Sequence, residues 1–117
     1  MIQEAANNYE LRFRMWITGN NAHFLGNGRV RLLENIRDKG SITNAAKAMK
    51  MSYRQAWQMV EDMNRSAPAA LVEKTLGGKG GGGAHITPAG EKAIRLFYTL
   101  EKKIEQFARE LNNEINL

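Results

Sequence analysis

Hydrophobic and polar side chains alternate along the beginning of the chain, from residue 9 to residue 18. One side of this segment carries five apolar or aromatic residues: Tyr9, Leu11, Phe13, Met15 and Ile17. An alternation with a period of two is typical of a strand that buries one face. We therefore predict a strand over 9–18, followed by a turn at the sequence GNN, residues 19–21.

Beyond that turn the apolar spacing lengthens to three and four residues, which predicts helices. Val30, Leu33 and Ile36 recur every three residues and define the buried face of a first helix. Asn27 is the candidate N-cap of this helix, because its side chain can accept a hydrogen bond from a free backbone N–H. Gly40 is the candidate C-cap, because glycine readily adopts the left-handed conformation that this position requires.

A second, short helix is predicted after Ser41, which is its candidate N-cap. Its inward positions include two alanines: Ile42, Ala45, Ala46 and Met49. Small side chains allow two helices that cross at a steep angle to approach each other closely. Residues 50–52 then form a tight joint to the next helix.

A third helix is predicted from Ser52, as its N-cap, to about Asn64. The inward positions of this helix follow one another at spacings of four and three: Ala56, Val60 and Met63. Pro68 prevents the helix from continuing, because proline lacks a backbone N–H and clashes with the preceding turn.

The chain then turns to short apolar segments around a glycine-rich loop. Two strands are predicted over 71–76 and 84–87, joined by the sequence GGKGGGG. Thr87 is the candidate N-cap of a last helix, with Pro88 in its first turn, where a proline is well tolerated.

The last helix carries an apolar series close to the heptad spacing of about 3.5 residues. The series comprises Ile94, Phe97, Leu100 or Glu101, Ile104, Phe107 or Ala108, Leu111 and Ile115. A helix of about 25 residues measures roughly 40 Å, and a chain of 117 residues is too small to cover it from end to end. We therefore predict that this helix pairs with a second copy of the chain to form a homodimer.

The order of these elements predicts a fold that is mainly α with a small β-hairpin wing. It is a winged helix-turn-helix with an N-terminal strand and a long C-terminal dimerisation helix. We expect a single domain over 1–117, with the helix-turn-helix at about 41–65, the wing at about 71–87 and the dimerisation helix at about 88–114. The lack of cysteine excludes disulfides and thiolate-bound metals.

The positive charge of the chain is concentrated in one region. The net charge is +5, and residues 28–50 hold six basic against two acidic residues, a net +4. This excess lies in and just before the helix-turn-helix, where phosphate contacts would be needed. The beginning of the chain lacks the features of a secretory signal, and no apolar stretch reaches membrane-spanning length, so we expect a cytoplasmic protein.

The third helix carries the candidates for base recognition. If its apolar face is buried, Arg54, Gln55 and Gln58 face away from the core. Arginine can bond a guanine edge and glutamine an adenine edge, so these residue types suit direct readout in a major groove. Tyr53 is a further candidate for DNA contact, and Trp57 lies one turn after it. We expect Trp57 to be mainly a packing residue, with contact of its indole N–H to the DNA backbone as the alternative.

The candidates for phosphate contact surround this helix. They lie on the second helix, at its joint and in the wing: Asn44, Lys47, Ser52, Lys74 and Lys79. The plainer alternatives are a solvated polar helix face and a hairpin tip without a role. A nucleotide-binding P-loop is excluded, because Gly80 stands where Ser or Thr must follow the lysine.

No combination of residues in the sequence indicates an active site. The only two histidines, His23 and His85, lie in different elements, without the spacing of a metal site. Ser41, Ser52 and Ser66 lie at helix boundaries, where capping explains them. We therefore expect neither an enzyme nor a bound cofactor or metal.

Two segments resemble a known family. They are SITNAAKAMKMSYRQAWQMVEDMN, residues 41–64, and LVEKTLGGKGGGGAHITPAGEK, residues 71–92. Both are similar to the N-terminal DNA-binding domain of the molybdate-responsive ModE regulators and, more broadly, to the LysR-type winged helix. The resemblance implies a dimeric transcription factor with its third helix in the major groove, linked to molybdate or metal homeostasis.

The resemblance does not extend to the oxyanion-binding modules that full-length molybdate regulators carry at their C-terminus. This sequence has no counterpart of their molybdate-binding residues, so we assign none and do not expect an effector site here. The alternative to a DNA-binding regulator is a protein-interaction module, in which the winged helix and the long terminal helix bind another protein.

Overall fold

The computed structural model describes residues 8–75 and 82–117 and contains four helices and two hairpins. The elements in chain order are β1 Ile17–Gly19, β2 Ala22–Leu25, α1 Asn27–Lys39, α2 Ile42–Ala48, α3 Tyr53–Ser66, β3 Val72–Thr75, β4 Gly83–Ile86 and α4 Pro88–Asn112. β1 pairs with β2, and β3 pairs with β4 to form the wing. This order confirms the predicted winged helix-turn-helix.

The hydrophobic core lies between the three central helices, the base of the wing and the beginning of α4. Its fully buried large side chains are Phe97, Leu25, Leu32, Leu33, Ile36, Met63, Val30 and Val60. The small residues predicted on α2, Ala45 and Ala46, are also buried, and α2 packs against both α1 and α3 through them. The predicted inward faces of the helices are therefore the ones that form the core.

The predicted strand over 9–18 is wrong for most of its length. Residues 8–16 form no regular secondary structure, and β1 is limited to Ile17–Gly19. Its partner β2, which sequence analysis missed, is too short to pair with the earlier residues. The segment runs instead beside α4, where the Leu11 N–H donates a hydrogen bond to Asn112 Oδ1 at 2.6 Å. Alternation favours an extended backbone, but a strand also needs a neighbouring strand to bond.

The two ends of α1 differ in how well they were predicted. Asn27 is not the N-cap but the first helical residue, and the cap is Gly26, without a side-chain hydrogen bond. A Cβ at Gly26 would lie 3.2 Å from the His23 ring, so the end of β2 leaves little room for a capping side chain there. The C-terminal prediction is confirmed, because Gly40 has a φ of 79° and donates its N–H to the Ile36 carbonyl.

The helix-turn-helix follows the predicted capping scheme. Ser41 Oγ accepts the Asn44 N–H at 3.0 Å, and Ser52 Oγ accepts the Gln55 N–H at 3.0 Å. Lys50, in the joint between α2 and α3, has a φ of 57°, which turns the chain sharply. These bonds satisfy N–H groups that a helix leaves free at its N-terminus, and they fix where each helix begins.

The wing is joined to the helices on both sides. In its antiparallel register Val72 pairs with Ile86, and the Ala84 N–H donates to the Gly40 carbonyl at 2.9 Å. The side chain of Asn64, at the end of α3, accepts the Leu71 N–H at 2.8 Å and donates to the Val72 carbonyl at 3.0 Å. The base of the wing therefore has a fixed position relative to α3.

The beginning of α4 is held by Thr87 and Gly90. Thr87 Oγ1 accepts the Gly90 N–H at 3.1 Å, as predicted for an N-cap, and donates to the Ala70 carbonyl at 2.6 Å. Gly90 packs directly against the chain entering the wing, and a Cβ there would clash with the Leu71 carbonyl oxygen. Within the described ranges, the structure contains no helix long and apolar enough to cross a membrane.

Candidate DNA-binding surface

The two faces of α3 differ sharply in exposure. Its inward face, formed by Ala56, Val60 and Met63, is fully buried. Arg54, Gln55 and Gln58 are exposed on the opposite side, as sequence analysis predicts. The exposed face is therefore a row of hydrogen-bonding side chains on a helix whose other face is fixed in the core.

The aromatic residues of α3 lie at the edge of this row. Tyr53 is 51% exposed, whereas Trp57 is half-buried and packs against the core. The two rings, with Arg54 and Gln58, line a shallow depression on the surface. The packing of Trp57 against the core agrees with its expected packing role.

The candidate phosphate contacts on α2 and at its joint are all exposed. Asn44 and Lys47 are exposed on α2. Ser52 is exposed as well, and its oxygen already accepts the Gln55 N–H. A hydroxyl that accepts one bond still has its own proton to donate, so Ser52 is able to bond a phosphate oxygen without uncapping the helix.

The wing contributes Lys74, whose side chain reaches back to α3. Its Nζ lies 3.1 Å from Glu61 Oε2 and 5.1 Å from the centre of the Trp57 ring. This lysine is therefore held beside α3 by an ion pair and by the face of the indole. Lys79, the other predicted wing contact, lies outside the described residues.

Part of the positive charge counted from the sequence serves the fold. Arg29 lies near Asp62 and donates to the His23 carbonyl at 2.8 Å, and only 14% of its side chain is exposed. Arg37 bonds Glu91 Oε1 at 3.0 Å, which joins α1 to α4. Burial lowers the pKa of Arg29 and the bond from Glu91 raises that of Arg37. These two arginines stabilise helix contacts, and the charge available to DNA is smaller than the sequence count.

A network around Asp62 was missed by sequence analysis. Its carboxylate accepts Gln58 Nε2 at 2.9 Å and Arg65 NH1 at 3.1 Å, and it lies 3.5 Å from Arg29 NH2. The hydrogen bond from Gln58 is the main reason that the pKa of Asp62 lies below its ordinary value. The helical spacings from Gln58 to Asp62 and from Asp62 to Arg65 were visible in the sequence, whereas the contact with Arg29 depends on the fold.

The described ranges contain no group of three or more histidine or acidic side chains able to hold a metal ion. His85 Nε2 lies 3.3 Å from Glu73 Oε1 on the exposed face of the wing. That contact is an ordinary cross-strand pair, because Glu73 and His85 are directly opposite each other in the register.

The comparisons with known proteins agree with this geometry. Residues 28–91 match the family of bacterial regulatory helix-turn-helix proteins of the lysR family. The chain is 42% identical over 93 residues to the transcriptional regulator ModE of Haemophilus influenzae, an alignment that covers 80% of this chain and 36% of that protein. It is 44% identical over 80 residues to the DNA-binding transcriptional dual regulator ModE of Escherichia coli strain K12, covering 68% of this chain and 30% of that protein.

A third relative is the molybdenum-pterin-binding protein MopB of Rhodobacter capsulatus, which is 40% identical over 93 residues. The alignment covers 80% of this chain and 34% of that protein, so the chain spans about a third of the length of these relatives. The resemblance to the ModE regulators is thus confirmed over the winged helix. Since the family match extends from α1 to the first turn of α4, the chain belongs to the lysR family of bacterial regulatory helix-turn-helix proteins, a family of DNA-binding transcription regulators and not of enzymes.

Proposed function

We propose that this chain binds duplex DNA sequence-specifically by inserting α3 into a major groove. The observation that carries the proposal is the division of α3 into a fully buried apolar face and an exposed face bearing Arg54, Gln55 and Gln58. A helix anchored in this way presents its polar side chains in a fixed order, which base recognition requires.

Each exposed residue of α3 has a distinct proposed role. Arg54 would bond the O6 and N7 atoms of a guanine, while Gln55 and Gln58 would bond adenine edges. Tyr53, at the N-terminal end of the row and half exposed, would contact the sugar-phosphate backbone through its hydroxyl. The roles follow from side-chain chemistry and from the exposure of all four residues.

The phosphate contacts are proposed for two separate surfaces. Asn44 and Lys47, exposed on α2, and Ser52, the exposed N-cap of α3, would hold the backbone on one side of the groove. Lys74 would hold it on the wing side, where Glu61 at 3.1 Å keeps the ammonium group close to α3 until a phosphate replaces the carboxylate. Lys79 is included in the proposal from the sequence alone.

We further propose that the functional unit is a homodimer formed through α4. This helix of 25 residues leaves large apolar side chains exposed, among them Leu96 at 47%, Tyr98 at 39%, Ile104 at 40% and Phe107 at 59%. Pairing two copies of α4 would cover them and would place two α3 helices on one DNA face. Their half-sites would lie about 34 Å apart, or a multiple of that distance, in a near-palindromic site.

The link to molybdenum is proposed from the relatives. One of them, MopB of Rhodobacter capsulatus, is named as a molybdenum-pterin-binding protein. We propose that this chain regulates genes of molybdenum homeostasis. If so, genomic fragments bound by the protein will be enriched in sequences upstream of molybdate transport genes, and a random distribution of fragments would contradict the link.

A second candidate function is a protein-interaction module that binds another protein through α4. The same exposed apolar side chains favour it, together with Tyr9 and Trp16 near the N-terminal segment, which are 55% and 57% exposed. A monomer without salt-sensitive affinity for duplex DNA would support this alternative. A dimer whose DNA affinity falls steeply with salt concentration would support the first proposal.

The test of sequence-specific binding is selection of duplexes from a random pool by the purified chain. We expect enrichment of one motif with two similar half-sites related by a two-fold axis. A pool that remains random after several rounds, although DNA is retained at low salt, would show that the chain binds DNA without reading bases.

A further inference from the structure

We infer that Asp62 is a positioning residue for base recognition: its carboxylate fixes the orientation of the Gln58 side-chain amide, so that the amide oxygen is left for the DNA. The inference rests on the proposed entry of α3 into a major groove. It starts from a single contact, in which Gln58 Nε2 donates a hydrogen bond to Asp62 Oδ1 at 2.9 Å. Gln58 is exposed, and this contact distinguishes the two orientations of its amide.

The two ends of a glutamine amide have nearly the same shape but opposite hydrogen-bonding chemistry. The oxygen accepts two bonds and the nitrogen donates two. An ionised carboxylate beside the amide favours the orientation in which the amide nitrogen points towards it. In the opposite orientation the amide oxygen would face the carboxylate oxygen, and both atoms are acceptors. Asp62 therefore uses one N–H of Gln58 and leaves one N–H and the oxygen for another partner.

Asp62 is itself held in place from two directions. Arg65 NH1 lies 3.1 Å from Oδ1, and Arg29 NH2 lies 3.5 Å from Oδ2. The Arg29 side chain is only 14% exposed, and its NH1 donates to the His23 carbonyl at 2.8 Å and to the Phe24 carbonyl at 3.3 Å. The carboxylate is thus tied to β2 through α1 and is not free to follow a rotating amide.

The fixed amide matches one base better than the others. Adenine offers a donor at N6 and an acceptor at N7 in the major groove, which pair with an amide oxygen and an N–H. Guanine offers acceptors at both O6 and N7, so the oxygen of Gln58 would face an acceptor there. In Asp62→Asn, the neutral amide at position 62 is able either to accept from the Gln58 nitrogen or to donate to the Gln58 oxygen. The Gln58 amide is then able to turn its nitrogen towards guanine, and the discrimination between the two purines becomes smaller.

The experiment starts from the motif that the wild-type chain selects. The Gln58→Ala variant first identifies the base pair that Gln58 reads, as the position whose preference is lost. The affinities of wild type, Asp62→Asn and the control Glu91→Gln are then measured for duplexes carrying each of the four base pairs at that position. Glu91→Gln is matched because it also removes a carboxylate bonded to an arginine, Arg37 at 3.0 Å, but lies on α4 and joins that helix to α1, not to α3.

We expect wild type and Glu91→Gln to prefer adenine over guanine by about 5- to 150-fold, the range for one bidentate contact. Asp62→Asn is expected to reduce this ratio to less than about threefold at that position, with the preferences at other positions kept. In the double variant with Gln58→Ala, the Asp62 substitution should change the ratio no further. If the role of Asp62 were purely structural, Asp62→Asn would instead weaken the base preference at every position of the motif. The same effect would then be seen in the double variant, which lacks the Gln58 side chain.

The inference is overturned if Asp62→Asn keeps the wild-type ratio, or if Gln58→Ala relaxes no position of a motif that the wild type selects. Both results leave sequence-specific binding through α3 intact, although the second removes the role proposed for Gln58. If the wild type selects no motif, the proposed function itself fails and the inference with it.

Discussion

At the residue scale, the ionisation of Asp62 links the surface of α3 to the stability of the fold. The pKa of Asp62 lies below its ordinary value of 3.8, first because of the hydrogen bond from Gln58 and then because of Arg65 and Arg29. The folded chain therefore releases this proton more readily than the unfolded chain does. The stabilisation is complete above the ordinary pKa and is lost as the pH falls through the lower, folded value.

The lowered pKa of Asp62 predicts how the stability of the chain changes with acid. The difference in the free energy of unfolding between wild type and Asp62→Asn should be constant from about pH 7 to pH 5 and should shrink below about pH 4. Urea unfolding followed by circular dichroism at pH 7, 5 and 3 measures it. A difference that grows as the pH falls would show that the carboxylate is not stabilised by its partners.

The residues of α3 also show which features of a helix can be predicted from its sequence. The spacing of Ala56, Val60 and Met63 was sufficient to predict the exposed side, because the helical period alone decides which positions share a face. It was not sufficient to separate Arg54, which is exposed, from Arg29, whose partners are supplied by other elements. The roles of charged side chains depend on tertiary contacts that no local pattern contains.

At the element scale, the junction of the wing and α4 depends on the absence of a side chain at Gly90. A Cβ there would clash with the Leu71 carbonyl oxygen and would lie 2.6 Å from Ile86 Cγ2. Both neighbours belong to the base of the wing, which Asn64 and Thr87 hold to the rest of the molecule. An added methyl group would therefore force backbone to move.

The glycines offer a matched pair of substitutions. Gly90→Ala is expected to lower the free energy of unfolding by at least about 1–3 kcal/mol through overpacking. Gly28→Ala, also in a helix but with no atom within 4 Å of the added Cβ, is expected to raise it by about 0.5–1 kcal/mol through helix propensity. Thermal and urea unfolding of both variants tests the pair. Equal effects would contradict the close approach at Gly90.

The beginning or end of a helix was predictable where residues within that helix determine it. The caps Ser41, Ser52 and Thr87 and the C-cap Gly40 were all found, because each acts within one turn of its own helix. The N-terminal strand failed for the opposite reason, since a strand exists only where a partner offers its backbone. The cap of α1 was misplaced by one residue because β2, unseen in the sequence, ends next to it at Leu25.

At the scale of the whole molecule, the chain is elongated. Its radius of gyration is 18.6 Å and its extents are 69 × 28 × 21 Å, whereas a compact chain of this length has a radius of gyration of about 13 Å. After Phe97 the only buried residue of α4 is Ala108. The second half of α4 thus extends beyond the core with apolar side chains exposed, which is the basis of the proposed dimer.

The proposed dimer predicts different effects on the oligomeric state for substitutions at one exposed apolar residue and at its polar neighbour. Phe107→Glu is expected to shift the chain from dimer to monomer at micromolar concentration, because a charge would replace the most exposed aromatic ring of α4. Gln106→Glu adds the same charge one residue away and should leave the dimer intact. Analytical ultracentrifugation measures both variants. A wild-type monomer, or a dimer that persists in Phe107→Glu, would contradict pairing through this face.

The most direct test of the account is the effect of Arg54→Ala on sequence discrimination, measured as the ratio of affinities for the selected duplex and a scrambled one across a salt titration. We predict a loss of about 1–3 kcal/mol on the selected duplex with relaxed preference at one base position. The control Lys47→Ala should weaken both duplexes alike and lower the salt slope by about 0.9. An Arg54→Ala variant with the wild-type ratio of affinities would contradict base reading by α3.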